Sequence, residues 1–501
     1  MNRRFAPALL ASCVVLFGCL VGCDEKGTGK KVDPPFQPDA CDVLLMLSGS
    51  EGGLLKPCGC STPQRGGLER RAALFDRARA KAKVAGAISV GEALGPGLPD
   101  QNGYKADLLR ETFAVTGYSG QLLSGNDLSP FLTALSQPRD APETTPRPPL
   151  NVKIRATGPL AASATADPIL RLTLGDLPVR AVSVVDATLQ ALLVEHWGVA
   201  DMVIAPEAAL RALPKEPGLL VVAAHVMRED LALVSAAAAA AADLAVVVDV
   251  PGEVASDLPV RDRSFERPLL VKFDRLGKEV GLLRLVKGEK GWRAAYDAVR
   301  LDPPFEEGES ASRDAVSALF ADYRRRVRES GLLASYPTFK DDGPTFVGAA
   351  ACQPCHPAIH ASWEQTPHAH ALDTLVAKDY AWDPECVRCH TVGWRKDVND
   401  WSRTASSFKT PDASPALAGV QCEHCHGAGS AHVKEPERKD LFGRYGDAGR
   451  MWRSPGEAGC RVCHDPDNST EFNKSSYEKR YLPKVDHRDV PPELRVATKP
   501  K

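Results

Sequence analysis

One five-residue pattern, Cys-x-x-Cys-His, occurs four times in the last third of this 501-residue chain. The copies are Cys352-x-x-Cys355-His356, Cys386-x-x-Cys389-His390, Cys422-x-x-Cys425-His426 and Cys460-x-x-Cys463-His464. With 14 cysteines and 12 histidines in the chain, composition alone yields roughly 0.01 such pentapeptides, so the repetition is not accidental. A lone Cys-x-x-Cys also fits a zinc knuckle or a thiol–disulfide pair. Zinc, however, closes two such halves on one tetrahedral ion and needs no His after every second Cys. The complete pattern is that of covalent haem attachment: two thiols add across the two vinyl groups of one porphyrin, and the next imidazole ligates the iron. Four covalently bound haem c groups are therefore expected. Their thioethers fall at Cys352, Cys355, Cys386, Cys389, Cys422, Cys425, Cys460 and Cys463, and their iron ligands on one face are His356, His390, His426 and His464.

Successive motif histidines are separated by 34, 36 and 38 residues. Segments that short do not each build an apolar core, so the porphyrins must supply much of it and pack closely. Ten of the twelve histidines follow residue 350, which marks this region as a separate unit. The net charge of −2 and pI near 6.6 give no electrostatic reason to bind polyanions, and nucleic acid is excluded as a partner. The length allows two or three domains, and 44% hydrophobic residues suffice for an ordinary core.

At the N-terminus, Arg3 and Arg4 precede an uncharged apolar stretch from Phe5 to Val21, followed by Leu20-Val21-Gly22-Cys23-Asp24. This resembles a bacterial lipoprotein signal peptide with its lipobox, which implies cleavage after residue 22 and lipidation of Cys23. Leu16-Phe17-Gly18-Cys19 is a second candidate for the same cut, and a plain secretory signal or uncleaved anchor is the alternative. Several acyl chains on one residue hold a protein stably to a membrane. The expected location is the periplasmic side of a bacterial membrane, with residues 23–40 as a tether. Covalent haem fits that compartment.

Residues 41–301 alternate strand-like and helix-like segments, with apolar strands at Asp42 to Leu47, Ala87 to Val90, Leu219 to Ala224 and Leu244 to Val248. Helical patterns cover Leu68 to Lys83, Lys105 to Val115 and Arg228 to Ala242. Continuous apolar strands between helices argue for a sheet covered on both faces. Pro268 to Phe273, Val280 to Val286 and Trp292 to Val299 read as an antiparallel meander, and Pro138 to Pro149 as a proline-rich loop. The layout resembles the metallophosphoesterase domain of periplasmic nucleotidases, a four-layer α/β sandwich. Gly66-Gly67-Leu68-Glu69-Arg70-Arg71-Ala72 and Gly125-Asn126-Asp127 carry the likeness. The resemblance implies two metal ions, but the ligand positions depart from it. Ser48-Gly49-Ser50 stands for Asp-x-His, Gly91-Glu92 for Gly-Asp, Asp127 for a His, and Asp249-Val250-Pro251 for Gly-His-x-His, leaving Asn126 and His225 as matches. So few ligands poorly neutralise two hard dications, so the domain reads as a scaffold without the family's chemistry. His225 then reads as a core or loop histidine, and His196 supports no role.

Cys58-Gly59-Cys60 sits in a glycine-rich loop, where pairing of one of them with Cys41 is easier than a mutual disulfide; a reactive thiol pair or a loop set against a haem are the alternatives. Residues 302–344 form a linker whose charged pattern predicts a helix from Glu309 to Ala334, capped by Ser310 or Ser312. Its Arg324, Arg325, Arg326 and Arg328 read as a solvated face near the helix C-terminus.

Residues 345–490 add further signals around the motifs, with 491–501 as a tail. Thr366-Pro367-His368-Ala369-His370-Ala371 follows the first, Gly427-Ala428-Gly429-Ser430-Ala431-His432 the third, and Lys484-Val485-Asp486-His487 lies beyond the fourth. This mostly α, haem-packed region resembles the tetrahaem cytochrome family of ammonia oxidisers, whose member takes electrons from hydroxylamine oxidoreductase. The resemblance implies that His368, His432 and His487 are opposite-face ligands of three haems, with the second site the one left open. His360, His370 and His424 compete, and His368 is preferred to His370 because it occupies the family's Ser/Thr-x-His-Ala position. Two imidazoles on one iron suit one-electron exchange, whereas an open position admits a small ligand. The expected function is electron relay by a lipid-anchored tetrahaem cytochrome between a redox protein donor and an acceptor. A haem enzyme reducing a nitrogen oxide at an open iron is the alternative, and an active phosphoesterase the third.

Overall fold

A computed structural model describes residues 41–57, 64–95, 99–123, 127, 169–185, 210–211, 213–250, 268–272, 276–289, 291–340, 342–396, 401–444, 446–447, 450–453, 455–465, 469 and 485. Cys19 and Cys23, the Cys58 to Cys60 loop, Gly125, Asn126, the 138–149 loop, His196 and His487 lie outside these residues. Among the described residues, no helix is long and apolar enough to cross a membrane.

The alternation of side chains along the first strand sets the architecture. In β1 (Val43–Ser48), Leu44 and Met46 face one way while Val43, Leu45 and Leu47 face the other, and all five are buried. A strand buried on both faces lies inside a layered stack. β1 is central in a five-stranded sheet with β2 (Val84–Ser89), β3 (Gly120–Gln121), β9 (Glu279–Gly288) and β10 (Gly291–Arg300), in the order β10-β9-β1-β2-β3. The β1–β2 and β2–β3 pairs are parallel, and β9 joins β1 antiparallel. A second sheet runs β4-β5-β6-β7-β8, from β4 (Leu170–Leu174), β5 (Leu177–Val185), β6 (Glu216–His225), β7 (Ala242–Asp249) and β8 (Leu269–Lys272).

Three apolar clusters fill the gaps between layers. Leu44 and Met46 pack with Phe75 of α1 (Leu68–Arg79), Leu108 and Phe113 of α2 (Pro99–Val115), and Phe320 of α4 (Ala311–Glu329). Leu45 and Leu47 meet Val179, Val221 and Val246 across the sheet-to-sheet interface. Leu220, Val222 and Val247 back onto Val234 and Ala238 of α3 (Leu231–Ala241). The result is the expected four-layer α/β sandwich, with helices outside and two mixed sheets inside.

Two readings need correction, and one hairpin was not read from the sequence. β9 and β10 form an antiparallel hairpin, but β8 pairs parallel with β7 in the other sheet, so the expected meander is two-stranded. The β4–β5 hairpin was hidden because its Arg171 and Arg180 interrupt the apolar run; Arg180 is buried and donates to the carbonyls of Pro214, Glu216 and Ala241. The arginine cluster of α4 is not a single solvated face. Arg326 bridges to Glu111 of α2 at 3.0 Å, and Arg324 and Arg328 stack over Tyr380 and Trp382, each at 5.0 Å, whereas exposed Arg325 pairs with Glu329 of its own helix. Ser310 is the cap, accepting from the Arg313 N–H at 3.1 Å, and Gly331 at φ 66° ends this helix before a separate turn at Leu332–Ser335.

Beyond residue 345 the elements are short: helices Pro357–Glu364, Ala371–Val376, Pro384–His390, Cys422–His426, Ser430–Lys434 and Gly456–Arg461, and a small sheet from Thr338–Phe339, Trp401–Thr404 and Trp394–Lys396. One cluster, including Leu333, Tyr336, Val387, Trp394 and Phe408, forms their apolar core. Arg403 anchors it, donating to carbonyls of Leu333, Tyr336 and Phe408.

Candidate functional site

At the carboxyl edge of β1, where the phosphoesterase likeness puts metal ligands, a buried ion pair stands instead. Arg71 of α1 forms a buried pair with Glu51 at 2.5 Å and donates to Ser48 Oγ at 3.0 Å and Tyr118 OH at 3.1 Å. A guanidinium thus supplies the positive charge beside Ser48. His225, at the end of β6, lies 3.3 Å from the Val90 carbonyl, and burial holds its imidazole down to about 4. Glu92 is 3.6 Å from its other nitrogen, Asp127 accepts from the Leu94 N–H at 2.7 Å, and Asp249 pairs with Lys272. Among the described residues, no cluster of three or more metal-ligating side chains forms.

The motif histidines are held differently. Nδ1 of His390 lies 2.6 Å from the Ala371 carbonyl, Nδ1 of His426 2.7 Å from the Trp452 carbonyl, and Nδ1 of His464 3.0 Å from Ser469 Oγ. A carbonyl only accepts, so Nδ1 of His390 and His426 carries the proton and Nε2 is left with its lone pair for a metal. These supporting partners have no signature in the sequence, because two are main-chain atoms. The Pro384–His390 helix does have one: Asp383 caps it, accepting from Glu385 N–H, and Pro384 occupies its first position.

Two of these histidines face a second imidazole. The rings of His356 and His432 have centroids 6.4 Å apart and planes 23° apart; those of His368 and His464 are separated by 6.1 Å and 50°. Two imidazoles bound to one metal through bonds of about 2 Å put their centroids about 6 Å apart, so each pair fits opposite faces of one iron. Burial, then the facing His368, pushes His464 down to about 4, and burial, then His356, lowers His432. Neutral imidazoles are what a metal requires.

The competitors are placed elsewhere. His370 is exposed, between Asp373 and the Glu364 carbonyl; His360 is buried against Trp363. His424 sits with Nε2 3.9 Å from Cys463 Sγ, and burial followed by nearby His368 and His390 holds it at about 4. Among the described residues, no ring pairs with His390 at the separation of the other two. His487 lies outside them.

The first and third motifs are tied together. The Glu423 carboxylate accepts from the N–H groups of Val347, Gly348 and Gly429 at 2.7–3.1 Å, and Gln421 accepts from Ala349 N–H at 2.6 Å. The eight motif cysteines are partly or fully exposed, in contrast to buried Cys41. Thiols so exposed are accessible for addition to a porphyrin.

Residues 351–427, which contain the first three motifs, match the family described as cytochrome c554 and c-prime. Cytochrome c-554 of Nitrosomonas europaea is 33% identical over 112 residues, 19% of this chain and 44% of that protein, so the chain spans under half of its relative. Solved structures similar to the chain include a 5'-nucleotidase precursor from Thermus thermophilus, at 16% identity over 65% of this chain and 67% of that one, with TM-score 0.38. A calcineurin-like phosphoesterase from Bacillus subtilis is 11% identical, covering 57% and 97%, with TM-score 0.39. The C-terminal part thus resembles cytochrome c554, a c-type cytochrome.

Proposed function

We propose that the chain is a tetrahaem c-type cytochrome that relays electrons between a redox donor and an acceptor on the periplasmic side of a bacterial membrane. Thioethers at the eight motif cysteines hold the porphyrins, and His356, His390, His426 and His464 ligate the irons. His432 closes the first iron and His368 the fourth; His487 is left for the third. The observation that carries this reading is the pair of imidazole couples at 6.4 and 6.1 Å, each joining a motif His to a non-motif His. Haem bound this way supplies a one-electron couple, and the polypeptide's part is to orient the imidazoles and exclude water. Cys23 is the proposed lipid attachment, and nucleic acid has no role. The test is the intact mass and visible spectrum of protein made in a host competent for cytochrome maturation. Four haems and a low-spin Soret spectrum are expected; a mass of polypeptide plus lipid alone overturns the reading.

A second reading is favoured by His390, opposite which no imidazole stands at the pairing distance among the described residues. An open second iron admits a small ligand such as a nitrogen oxide and its reduction there. It predicts a high-spin component and nitric oxide binding to the reduced protein; absence of both removes it.

A further inference from the structure

The helix carrying the second attachment motif is gripped by the sandwich through polar side chains that are almost wholly buried. Gln101 of α2 donates to Asp383 Oδ1 at 2.7 Å, and Tyr323 of α4 donates from its hydroxyl to Asp383 Oδ2 at 3.1 Å. Lys105 of α2 pairs with Glu385 at 2.5 Å and donates to the Gly53 carbonyl at 2.9 Å. Gln101, Lys105, Tyr323 and Asp383 are 1%, 5%, 4% and 7% exposed. Asp383 and Glu385 stand three residues and one residue before Cys386, the first thiol of the second attachment motif. Ordinary packing between two regions is apolar, because a buried polar group costs free energy unless fully paired. Burying the Asp383 carboxyl and the Lys105 ammonium, with Glu385 partly covered beside them, fixes both geometry and charge next to the second attachment motif.

We infer that the sandwich positions and tunes the second haem: Gln101, Lys105 and Tyr323 hold buried Asp383 and part-buried Glu385 in a contact that sets its reduction potential. This rests on haem attachment at Cys386 and Cys389. Charge and hydrogen bonding around a haem are among the protein's means of shifting its potential. Burial alone would push Glu385 up, but Lys105 and then Arg388 hold its carboxyl below the usual range, so it carries charge. A fixed anion favours the ferric state.

The test is a spectroscopic redox titration of the full haem-loaded chain, with the second component identified by its altered signature or loss in His390→Met. In Glu385→Gln, that component should be easier to reduce by about tenfold in its equilibrium constant, about 59 mV for one electron. In Lys105→Met/Glu385→Gln, where both charges go, it should return most of the way. Tyr323→Phe, on the sandwich side, should move the same component by less. The other components should stay within a third of the Glu385→Gln shift. The inference is overturned by no shift, or by equal shifts of all haems, in Glu385→Gln, or in Tyr323→Phe should Glu385→Gln fail to accumulate. Peptide mass separates the two levels: a wild-type Cys386 to Cys389 peptide without haem defeats the attachment reading, whereas attached haem with an unmoved potential defeats only this inference.

Discussion

The sandwich and the motif region reach order by opposite routes. The sandwich buries aromatic and aliphatic side chains in three clusters, with Phe75, Phe113 and Leu45 wholly covered. The motif region has one cluster and short helices, and its attachment cysteines stay accessible. Apolar side chains therefore suffice for the first, while for the second the proposed haems are expected to supply part of the interior. The sharpest way to break this contrast is to replace all eight motif cysteines by alanine. Amide exchange should then lose protection throughout residues 345–465 while β1, β2, β6 and β7 keep theirs. Protection of both regions without haem would show that the porphyrins are not needed for folding.

Within the sandwich, the next largest effect is expected from Phe113→Ala, which empties a fully buried site between α2 and the first sheet. A loss of about 3–5 kcal/mol of unfolding free energy follows from the removed burial and the cavity. If haem absorbance is lost in the same transition, the regions are not energetically separate. Glu51→Gln comes after it. It strands the buried Arg71 guanidinium, now paired with Glu51 at 2.5 Å, at a cost of about 3 kcal/mol in denaturant unfolding. A neutral result would mean that Ser48 and Tyr118 alone satisfy Arg71.

His225 supplies a pH probe that belongs to the sandwich alone. Burial lowers its folded value to about 4 from an unfolded value near 6.5. The unfolded chain then binds the extra proton between those limits, so stability is unaffected above 6.5 and falls as pH drops below it. The loss at pH 5 is about 2 kcal/mol, and His225→Gln should flatten that part of the profile. An unchanged slope in the variant assigns the acid sensitivity to other groups.

What the sequence made legible follows the same division. The motif cysteines and histidines are adjacent in the chain, so their chemistry was readable without a fold. The four layers were readable because β1, β6 and β7 are apolar on both faces. Pairing partners were less so: β8 looks like the neighbour of β9 in order along the chain, yet joins β7, since only the sheet decides which edge a short strand completes. Nothing in the sequence marks Arg180 and Arg403 as buried, because the carbonyls they donate to come from distant segments. Asp383 was invisible as a contact because Gln101 lies 282 residues away in sequence.

The smallest expected effect tests how finely the regions are joined along α4. Arg325 is exposed and reaches Asp322 and Glu329, one turn to either side, at 2.6 and 2.5 Å. Exposed pairs of this kind are screened by water and salt, so Arg325→Ala should leave the unfolding midpoint unchanged at any ionic strength. Its neighbour Arg324 has the same charge and a different address, stacked 5.0 Å over Tyr380 of the motif region. Arg324→Ala should cost about 0.5–1 kcal/mol, seen as a lower midpoint for motif-region unfolding. The two variants differ only by 100° of rotation around one helix. Equal effects would mean that α4 is not a seam between the two regions, and that the contact at Asp383 stands without flanking support.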